Sequence, residues 1–347
     1  MKYKTLGGTG LLVSEFCLGT MTFGGKNFPM SAAMGALDLE ESSRLVDEAI
    51  DQGVNFFDTA NQYGLGESEE FLGHALKGKR QNAIISTKVR FRMGPDANQV
   101  GLSRWHIIQQ VEESLKRLGT DYIDLFQIHG PDPLTDWEET MRALDDLIRS
   151  GKVRYIGCSN LQAWQIMKAN GVSRQLGLQT LHSNQAYYSL AGRDIEREII
   201  PVVQDQNMGL MIWSPLAGGF LSGKYTQDQH GGPNDRRTKF DFPPVDLKKG
   251  YEIIDVLREI ARNRETTPAT IALAWLLTQP GVTSVIVGAK RPEQLKENLG
   301  ASGIRLNEDE LERLDKVSAL RREYPVWDPT TFSGDRYPAE KQEIRHS

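Results

Sequence analysis

Short apolar runs alternate with amphipathic stretches along most of the chain. The runs are rich in Val, Ile, Leu and Phe, which is typical of buried strands. They predict strands at 14–20, 55–59, 83–88, 123–129, 153–159, 178–185, 210–214 and 282–288. Between them, three-to-four spacing of apolar residues predicts helices at 40–52, 67–77, 104–118, 137–150, 194–206 and 251–263. This alternation predicts a single α/β domain folded as a (β/α)8, or TIM, barrel; an open doubly wound sheet is the weaker alternative.

Additional elements are predicted at both ends of the chain. Residues 1–13 carry GGTG at 7–10 between two apolar stretches, which predicts a β-hairpin ahead of the barrel. Further helices are predicted at 267–279 and 307–319, and residues 320–347 form a tail in which Trp327 is a candidate to fold back over the barrel mouth. No proline- or glycine-rich linker divides the sequence, so we expect one domain over 1–347.

Two connections exceed ordinary loop length. They span 21–37, after the first predicted strand, and 217–245, after the seventh. Connections longer than ~12–15 residues in a compact domain are usually lids or binding loops. Both follow the carboxyl end of a strand, so both are expected at the catalytic mouth of a barrel.

Composition and charge exclude several classes of protein. Hydrophobic content of 39% and charged content of 25% are ordinary for a folded chain of 347 residues. A net charge of −5 provides no general attraction to nucleic acid or to an anionic membrane. No signal-peptide pattern and no apolar run near ~18 residues is present, so a cytoplasmic location is expected. The two cysteines, Cys17 and Cys158, lie in apolar runs and are expected to be reduced core thiols.

Ionisable side chains stand at the ends of three successive predicted strands. Asp58, Lys88 and His129 lie at or near these ends, and Tyr63 lies in the loop after Asp58. In a parallel barrel these ends converge on one mouth. A neighbouring ammonium lowers the pKa of a phenol from ~10, and a carboxylate compensates the burial of that ammonium. The four groups suit protonation of a carbonyl oxygen that the histidine N–H holds in place.

Several motifs, in the expected order, resemble those of the aldo-keto reductase family. They are DTANQYG at 58–64 followed by Ser68 and Glu69, SLKRLGTDYIDL at 114–125, and GKVRYIGCSN at 151–160. The resemblance runs from the hairpin to about residue 319. It implies a barrel enzyme that transfers a hydride from a nicotinamide nucleotide to an aldehyde or ketone. In this family pattern Tyr63 is the general acid, Lys88 and Asp58 tune it, and His129 orients the carbonyl.

Polar side chains at the later strand ends offer a site for the nicotinamide. Ser159, Asn160 and Gln185 carry groups that bind a carboxamide, and Trp213 offers a flat face for ring stacking, with a buried strand aromatic as the alternative. The sequence SPLAGG at 214–219 is similar to the coenzyme loop of the family. This similarity adds three candidates: Ser214, Leu216 and Gly218.

The sequence GGFLSGKY at 218–225 comes close to a nucleoside-triphosphate P-loop. Tyr225 stands where a magnesium-binding Ser or Thr belongs, and the residues that follow are not helical in pattern, so we reject that interpretation. We expect this loop to wrap a dinucleotide pyrophosphate, with Lys224 as a counter-charge. No GxGxxG follows an early strand, so a Rossmann site is also unsupported.

The segment VGAKRPEQLKEN at 287–298 follows the eighth predicted strand. Proline after a glycine turn predicts a helix start, which presents N–H groups to an anion. By resemblance this segment holds the adenosine and its 2′-phosphate, and Lys290 and Arg291 favour NADPH over NADH. Arg237 is a further phosphate candidate, with Arg236 as the alternative. The other candidates in the segment are Gly288, Gln294, Glu297 and Asn298.

Three rival functions remain open at this point. A metal-dependent hydrolase has little support, because none of the six histidines forms a ligand pair at a strand end. A Schiff-base aldolase can use Lys88 on the same fold. The chain also resembles the cytoplasmic β subunits of potassium channels, which retain the coenzyme; His129 favours an active enzyme. A small-molecule carbonyl is the expected partner, and the candidates for an apolar substrate pocket are Phe23, Phe91 and Trp327.

Overall fold

The computed structural model describes residues 1–26, 35–226, 232 and 236–324. An antiparallel hairpin of β1 (Tyr3–Thr5) and β2 (Leu12–Ser14) precedes a closed barrel of eight parallel strands, in the order β10-β3-β4-β5-β6-β7-β8-β9. The barrel strands are β3 (Phe16–Gly19), β4 (Phe56–Asp58), β5 (Ile84–Val89), β6 (Ile123–Ile128), β7 (Val153–Ser159), β8 (Ser183–Tyr187), β9 (Gly209–Trp213) and β10 (Val282–Val287). The predicted barrel with an N-terminal hairpin is therefore confirmed, and the open sheet is excluded.

The barrel strands are covered on both faces. Every residue of β5 and β6 is buried, as expected for parallel strands that lie between a barrel interior and an outer layer of helices. Successive side chains of a strand point to opposite faces. In β5 this alternation directs Ser86 and Lys88 into the barrel and Thr87 towards the helices.

The helices lie outside the barrel. Their bounds are α1 (Leu39–Asp51), α2 (Glu67–Ala75), α3 (Arg104–Leu118), α4 (Trp137–Arg149), α5 (Ala163–Leu176), α6 (Ile199–Asp205), α7 (Arg236–Lys239), α8 (Leu247–Asn263), α9 (Pro268–Thr278), α10 (Pro292–Leu299) and α11 (Glu308–Ser318). Short 3₁₀ turns occur at Tyr63–Gly66, Arg80–Asn82, Asp194–Glu196, Ala217–Ser222 and Gly300–Gly303.

Two helical regions differ from the prediction. Helix α5 was not predicted, because four of its five buried residues are small or polar: Ala163, Ala169, Asn170 and Ser173. The helix predicted at 194–206 is instead a 3₁₀ turn followed by α6. The backbone of Glu198, with φ of −138°, interrupts the helical conformation between them.

The hairpin packs against the barrel strands. Leu6 and Val13 are fully buried in a small apolar cluster that also contains Phe56 and Leu125. The Gly8 amide donates to the Asn207 carbonyl at 2.7 Å, which ties the turn of the hairpin to the residues before β9. These contacts leave the carboxyl ends of the strands as the accessible mouth.

Both cysteines are buried in barrel strands as free thiols. Burial raises the pKa of Cys17 and of Cys158. No described helix has the length and apolar character needed to span a bilayer. Trp327 and the tail beyond residue 324 lie outside the described residues, as do parts of the two long predicted connections, so the expected fold-back of Trp327 stays a prediction.

Candidate active site

The ends of β4 and β5 bring a carboxylate and an ammonium into contact inside the barrel. Lys88 is fully buried, and its Nζ donates to Asp58 Oδ2 at 2.6 Å and to the Thr59 carbonyl at 2.7 Å. Burial lowers the pKa of Lys88. The charge of Asp58, the neighbouring Tyr63 and hydrogen bonds to both raise it by more, so the net shift is upward. Lys88 is therefore held as an ammonium.

Neutral donors from three other positions hold the Asp58 carboxylate. Its Oδ1 accepts from Ser86 Oγ at 3.0 Å, from Gln185 Nε2 at 2.9 Å and from Gln127 Nε2 at 3.4 Å. These donors lie on β5, β8 and β6. The barrel backbone therefore sets the orientation of the carboxylate, and through it the position of Lys88.

Tyr63 lies above this pair, in the 3₁₀ turn after β4. Lys88 Nζ is 5.0 Å from the centroid of the Tyr63 ring. Burial is the largest influence on the phenol and raises its pKa. Lys88 lowers that pKa by its charge and a hydrogen bond, as predicted, but by less than burial raises it. The net shift is upward, so the expectation of a lowered pKa is wrong, and the phenol is held as a protonated acid.

His129, at the end of β6, completes the cluster. Its ring lies edge-on to Tyr63 at 5.8 Å and to Phe91 at 4.8 Å between centroids. Burial, and then the charges of Lys88 and Arg90, hold the pKa of His129 well below its usual value. The imidazole is thus neutral near pH 7. Its Nδ1 is buried without a hydrogen-bond partner among the described residues.

A cleft of about 720 Å³ opens above this cluster at the carboxyl ends of the strands. Tyr63 and His129 lie on its wall, whereas Lys88 is hidden behind them. The cleft also brings together most of the residues predicted to bind a coenzyme. These are Ser159, Asn160, Gln185, Trp213, Ser214, Leu216, Gly218, Lys224, Gly288, Lys290, Gln294 and Asn298.

The amide and hydroxyl side chains form one hydrogen-bonded group beside His129. Ser159 Oγ donates to the Gln185 carbonyl at 2.9 Å, and Asn160 Nδ2 donates to the His129 carbonyl at 3.0 Å. Trp213 Nε1 in turn donates to Asn160 Oδ1 at 3.1 Å. These bonds connect the carboxyl ends of four strands, β6, β7, β8 and β9, along one wall of the cleft.

Trp213 has aromatic neighbours in the structure. The ring of Phe242 is nearly parallel to it, at 11° and 5.8 Å between centroids, and that of Tyr187 lies at 35° and 5.2 Å. Phe242 and Phe240 line the cleft and were not predicted as site residues. Their only signal in the sequence is their position in the long connection after the seventh strand.

Basic side chains dominate one end of the cleft. Lys224, Arg236 and Lys290 line it there, and among the described lining residues Asp58 is the only acid. Burial lowers the pKa of Lys290, and the charges of Lys239, Lys224 and Arg236 lower it further. Since Asp58 is already bonded to Lys88, this end of the cleft has an excess of positive charge and can hold an anion.

Arg236, and not Arg237, is the arginine of α7 that lines the cleft. The Arg237 guanidinium is committed elsewhere, with Nη1 donating to the Ala217 carbonyl at 3.0 Å and the Pro243 carbonyl at 2.8 Å, and Nη2 pairing with Asp241. The Nε of Arg236 is buried without a partner among the described residues.

Three other candidates do not line the cleft. Glu297 and Arg291 of the last predicted segment are exposed outside it, and Phe23 is buried in the core. Phe91 does line the cleft, against His129. Further lining residues were not predicted; they include Thr20, Met21, Gln62 and Ile286.

The model of the Aldo/keto reductase family matches residues 15–319, and the chain belongs to this family. Its relatives include "Uncharacterized oxidoreductase YrpG" of Bacillus subtilis, 36% identical over 91% of this chain and 96% of the relative. Versiconal hemiacetal acetate reductase of Aspergillus parasiticus is 34% identical over 94% of this chain and 99% of the relative. "Probable voltage-gated potassium channel subunit beta" of Arabidopsis thaliana is 38% identical over 87% of this chain and 91% of the relative.

Family membership and the reductases among these relatives identify the chain as an oxidoreductase of the kind that reduces carbonyl groups with a nicotinamide coenzyme. The resemblance to both reductases and channel subunits is confirmed as well.

Proposed function

We propose that the protein reduces the carbonyl group of an aldehyde or ketone with NADPH, and that Tyr63 is the general acid. The observation that carries this proposal is the buried Lys88 ammonium, which lies between the Asp58 carboxylate and the Tyr63 ring, beside a neutral His129. Tyr63 and His129 line the cleft described above, and Lys88 lies behind them.

The residues of the cleft fit a phosphorylated dinucleotide. Ser159, Asn160 and Gln185 would hold the carboxamide, and the basic end of the cleft would hold the phosphates. The unpartnered Nε of Arg236 and the crowded charge of Lys290 support this assignment, because both are stabilised by an anion. NADPH supplies the hydride when it is bound, and Lys290 favours it over NADH through the 2′-phosphate.

The protein's own groups handle the carbonyl oxygen. His129, being neutral, donates a hydrogen bond that orients this oxygen, and Tyr63 donates its proton to it. The resulting phenolate is stabilised by the Lys88 ammonium, which Asp58 holds in place. The raised pKa of Tyr63 keeps the proton available until the oxygen becomes basic.

A Schiff-base aldolase is less well supported. A lysine that attacks a carbonyl must be a free amine, which requires a lowered pKa. The pKa of Lys88 is raised, and its Nζ is bonded to Asp58 and Thr59. A regulatory subunit is the second candidate, because relatives named as potassium channel β subunits cover most of the chain.

The deciding experiment is to mix the purified protein with NADPH and a panel of aromatic and aliphatic aldehydes and ketones. We expect substrate-dependent loss of NADPH absorbance. Coenzyme binding is measured in parallel through quenching of tryptophan fluorescence. Tight NADPH binding with no oxidation across the panel contradicts the reductase and favours the regulatory role.

A further inference from the structure

The turn that carries Tyr63 has an unusual backbone. Gly64, Leu65 and Gly66 have φ angles of 59°, 56° and 106°, all in the left-handed region. Leu65 is not glycine, so this conformation is disfavoured for it, and such residues persist only where the surroundings hold them. The position of Tyr63 therefore depends on what packs against this turn.

Arg117 of α3 packs directly against the end of the turn. A Cβ built on Gly66 would lie 2.6 Å from Arg117 Cδ, so the two residues are in close contact. Arg117 Nε donates to Glu69 Oε2 at 2.6 Å, in α2, which begins where the turn ends. The Glu69 side chain is fully buried, and that of Arg117 is 15% exposed.

The other oxygen of Glu69 contacts the strand that carries Lys88. Thr87 Oγ1 donates to Glu69 Oε1 at 2.5 Å, and Thr87 is the outward-facing residue immediately before Lys88. One buried carboxylate thus bonds both to β5, next to the ammonium, and to the arginine that supports the Tyr63 turn. Neither Glu69 nor Arg117 lines the cleft.

We propose that Glu69 and Arg117 are positioning residues, which hold the Tyr63 phenol against Lys88 without touching substrate or coenzyme. The consequence for catalysis rests on the proposed function, in which Tyr63 is the acid. A displacement of about 1 Å in a reacting group costs on the order of 10²-fold in rate, so loss of this support is expected to act on the chemical step.

The chain provides a matched control at the opposite end of the barrel. Arg80 Nη2 pairs with Asp124 Oδ2 at 2.7 Å, with side-chain exposures of 17% and 7%. Asp124 stands near the start of β6 and accepts from the Ile85 amide near the start of β5. This pair resembles Glu69–Arg117 in distance and burial but has no contact with the Tyr63 turn.

The experiment compares Arg117→Met with Arg80→Met in the full-length protein. A double variant, Glu69→Gln with Arg117→Met, leaves no unpaired charge and is used if the single variant does not fold. We expect loss of Arg117 to lower kcat roughly 10- to 100-fold, with KM and NADPH affinity within about twofold of the parent. Arg80→Met is expected to lower the melting temperature without a comparable loss of kcat.

A second readout does not require turnover. Tyrosinate absorbance is titrated with pH, and the titration of a Tyr63→Phe counterpart is subtracted in each background to isolate the phenol of Tyr63. In the Arg117 variants the pKa of this phenol is expected to fall towards ~10, because the ring is no longer held in its buried site. Arg80→Met should leave it unchanged.

The outcomes separate the two proposals. An unchanged Tyr63 titration in the Arg117 variants overturns the positioning role, whatever the enzyme's activity. Equal losses of kcat in the Arg117 and Arg80 variants overturn it too, because they indicate general destabilisation. A parent protein that oxidises no NADPH refutes the proposed function instead, and the phenol titration still decides the positioning role.

Discussion

The cleft has two sides that differ in how charge is balanced. One is built by β4, β5 and β6, and the other by residues 214–226, 236–242 and 287–298. On the first side, the Lys88 ammonium is bonded to Asp58, whose carboxylate has further neutral donors. On the second side, burial and the charge of Arg237 lower the pKa of Arg236, and burial and neighbouring cations, Arg236 among them, lower that of Lys290. The described lining contributes no acid there.

The two sides of the cleft are therefore preorganised in different ways. On the first side, the Asp58–Lys88 pair and its hydrogen-bond donors are fixed by strands whose positions the barrel determines. The second side stores electrostatic repulsion that an anion relieves, and it lies on the segments that follow β9 and β10. We therefore expect changes on the first side to affect the chemical step and changes on the second side to affect coenzyme affinity.

Tyr63→Phe gives the largest expected effect and acts on the first side alone. Removal of the hydroxyl removes the proton donor, and general acid catalysis contributes on the order of 10²- to 10⁴-fold. We expect carbonyl reduction to fall by at least about 10²-fold, while NADPH affinity, followed by fluorescence, stays within about twofold. A variant with near-normal turnover would remove Tyr63 from the mechanism.

Lys290→Ala acts on the second side and has an intermediate effect. We expect NADPH to bind about tenfold more weakly or worse, because a charge-assisted hydrogen bond to phosphate is lost, while NADH binding changes little. Arg291→Ala is the matched control, since Arg291 is an adjacent cation that does not line the cleft. Dissociation constants for both coenzymes decide the matter; equal weakening of the two would mean that Lys290 does not read the 2′-phosphate.

The pH dependence of reduction should show the smallest effect. The pKa of Tyr63 is raised, so the phenol stays protonated until the pH rises above ~10. The pKa of His129 is lowered, so the imidazole stays neutral even when the pH falls below ~6.5. We expect kcat/KM to vary less than about twofold between roughly pH 6.5 and 9, and to fall as the pH rises through the pKa of Tyr63. A rate profile with a midpoint near pH 7.5 is incompatible with these shifts.

The sequence predicts the barrel and the proximity of Asp58, Tyr63, Lys88 and His129 for a shared physical reason. Each apolar run contains a buried strand, and a polar residue at or just beyond its carboxyl end must face the mouth. Asp58, Lys88 and His129 follow this rule, and Tyr63 comes five residues after Asp58. Helix α5 was missed because four of the five residues on its buried face are small or polar, which gives no apolar periodicity.

Other features depend on contacts that sequence order does not reveal. Arg236 and Arg237 are adjacent and chemically identical, and only the acceptors around Arg237 show which one turns away from the cleft. The upward pKa of Tyr63 reflects the extent of its burial, which no spacing of residues predicts. Glu69 and Arg117 lie 48 positions apart, and their pairing requires the packing of α2 against α3.

The two buried cysteines have a consequence for a protein that handles reactive carbonyls. The thiolate is the nucleophilic form of cysteine, and burial raises the pKa of both Cys17 and Cys158. Both sulfur atoms therefore stay protonated and shielded inside the strands. An electrophile that enters the cleft, such as an α,β-unsaturated aldehyde, therefore meets no cysteine that it can alkylate.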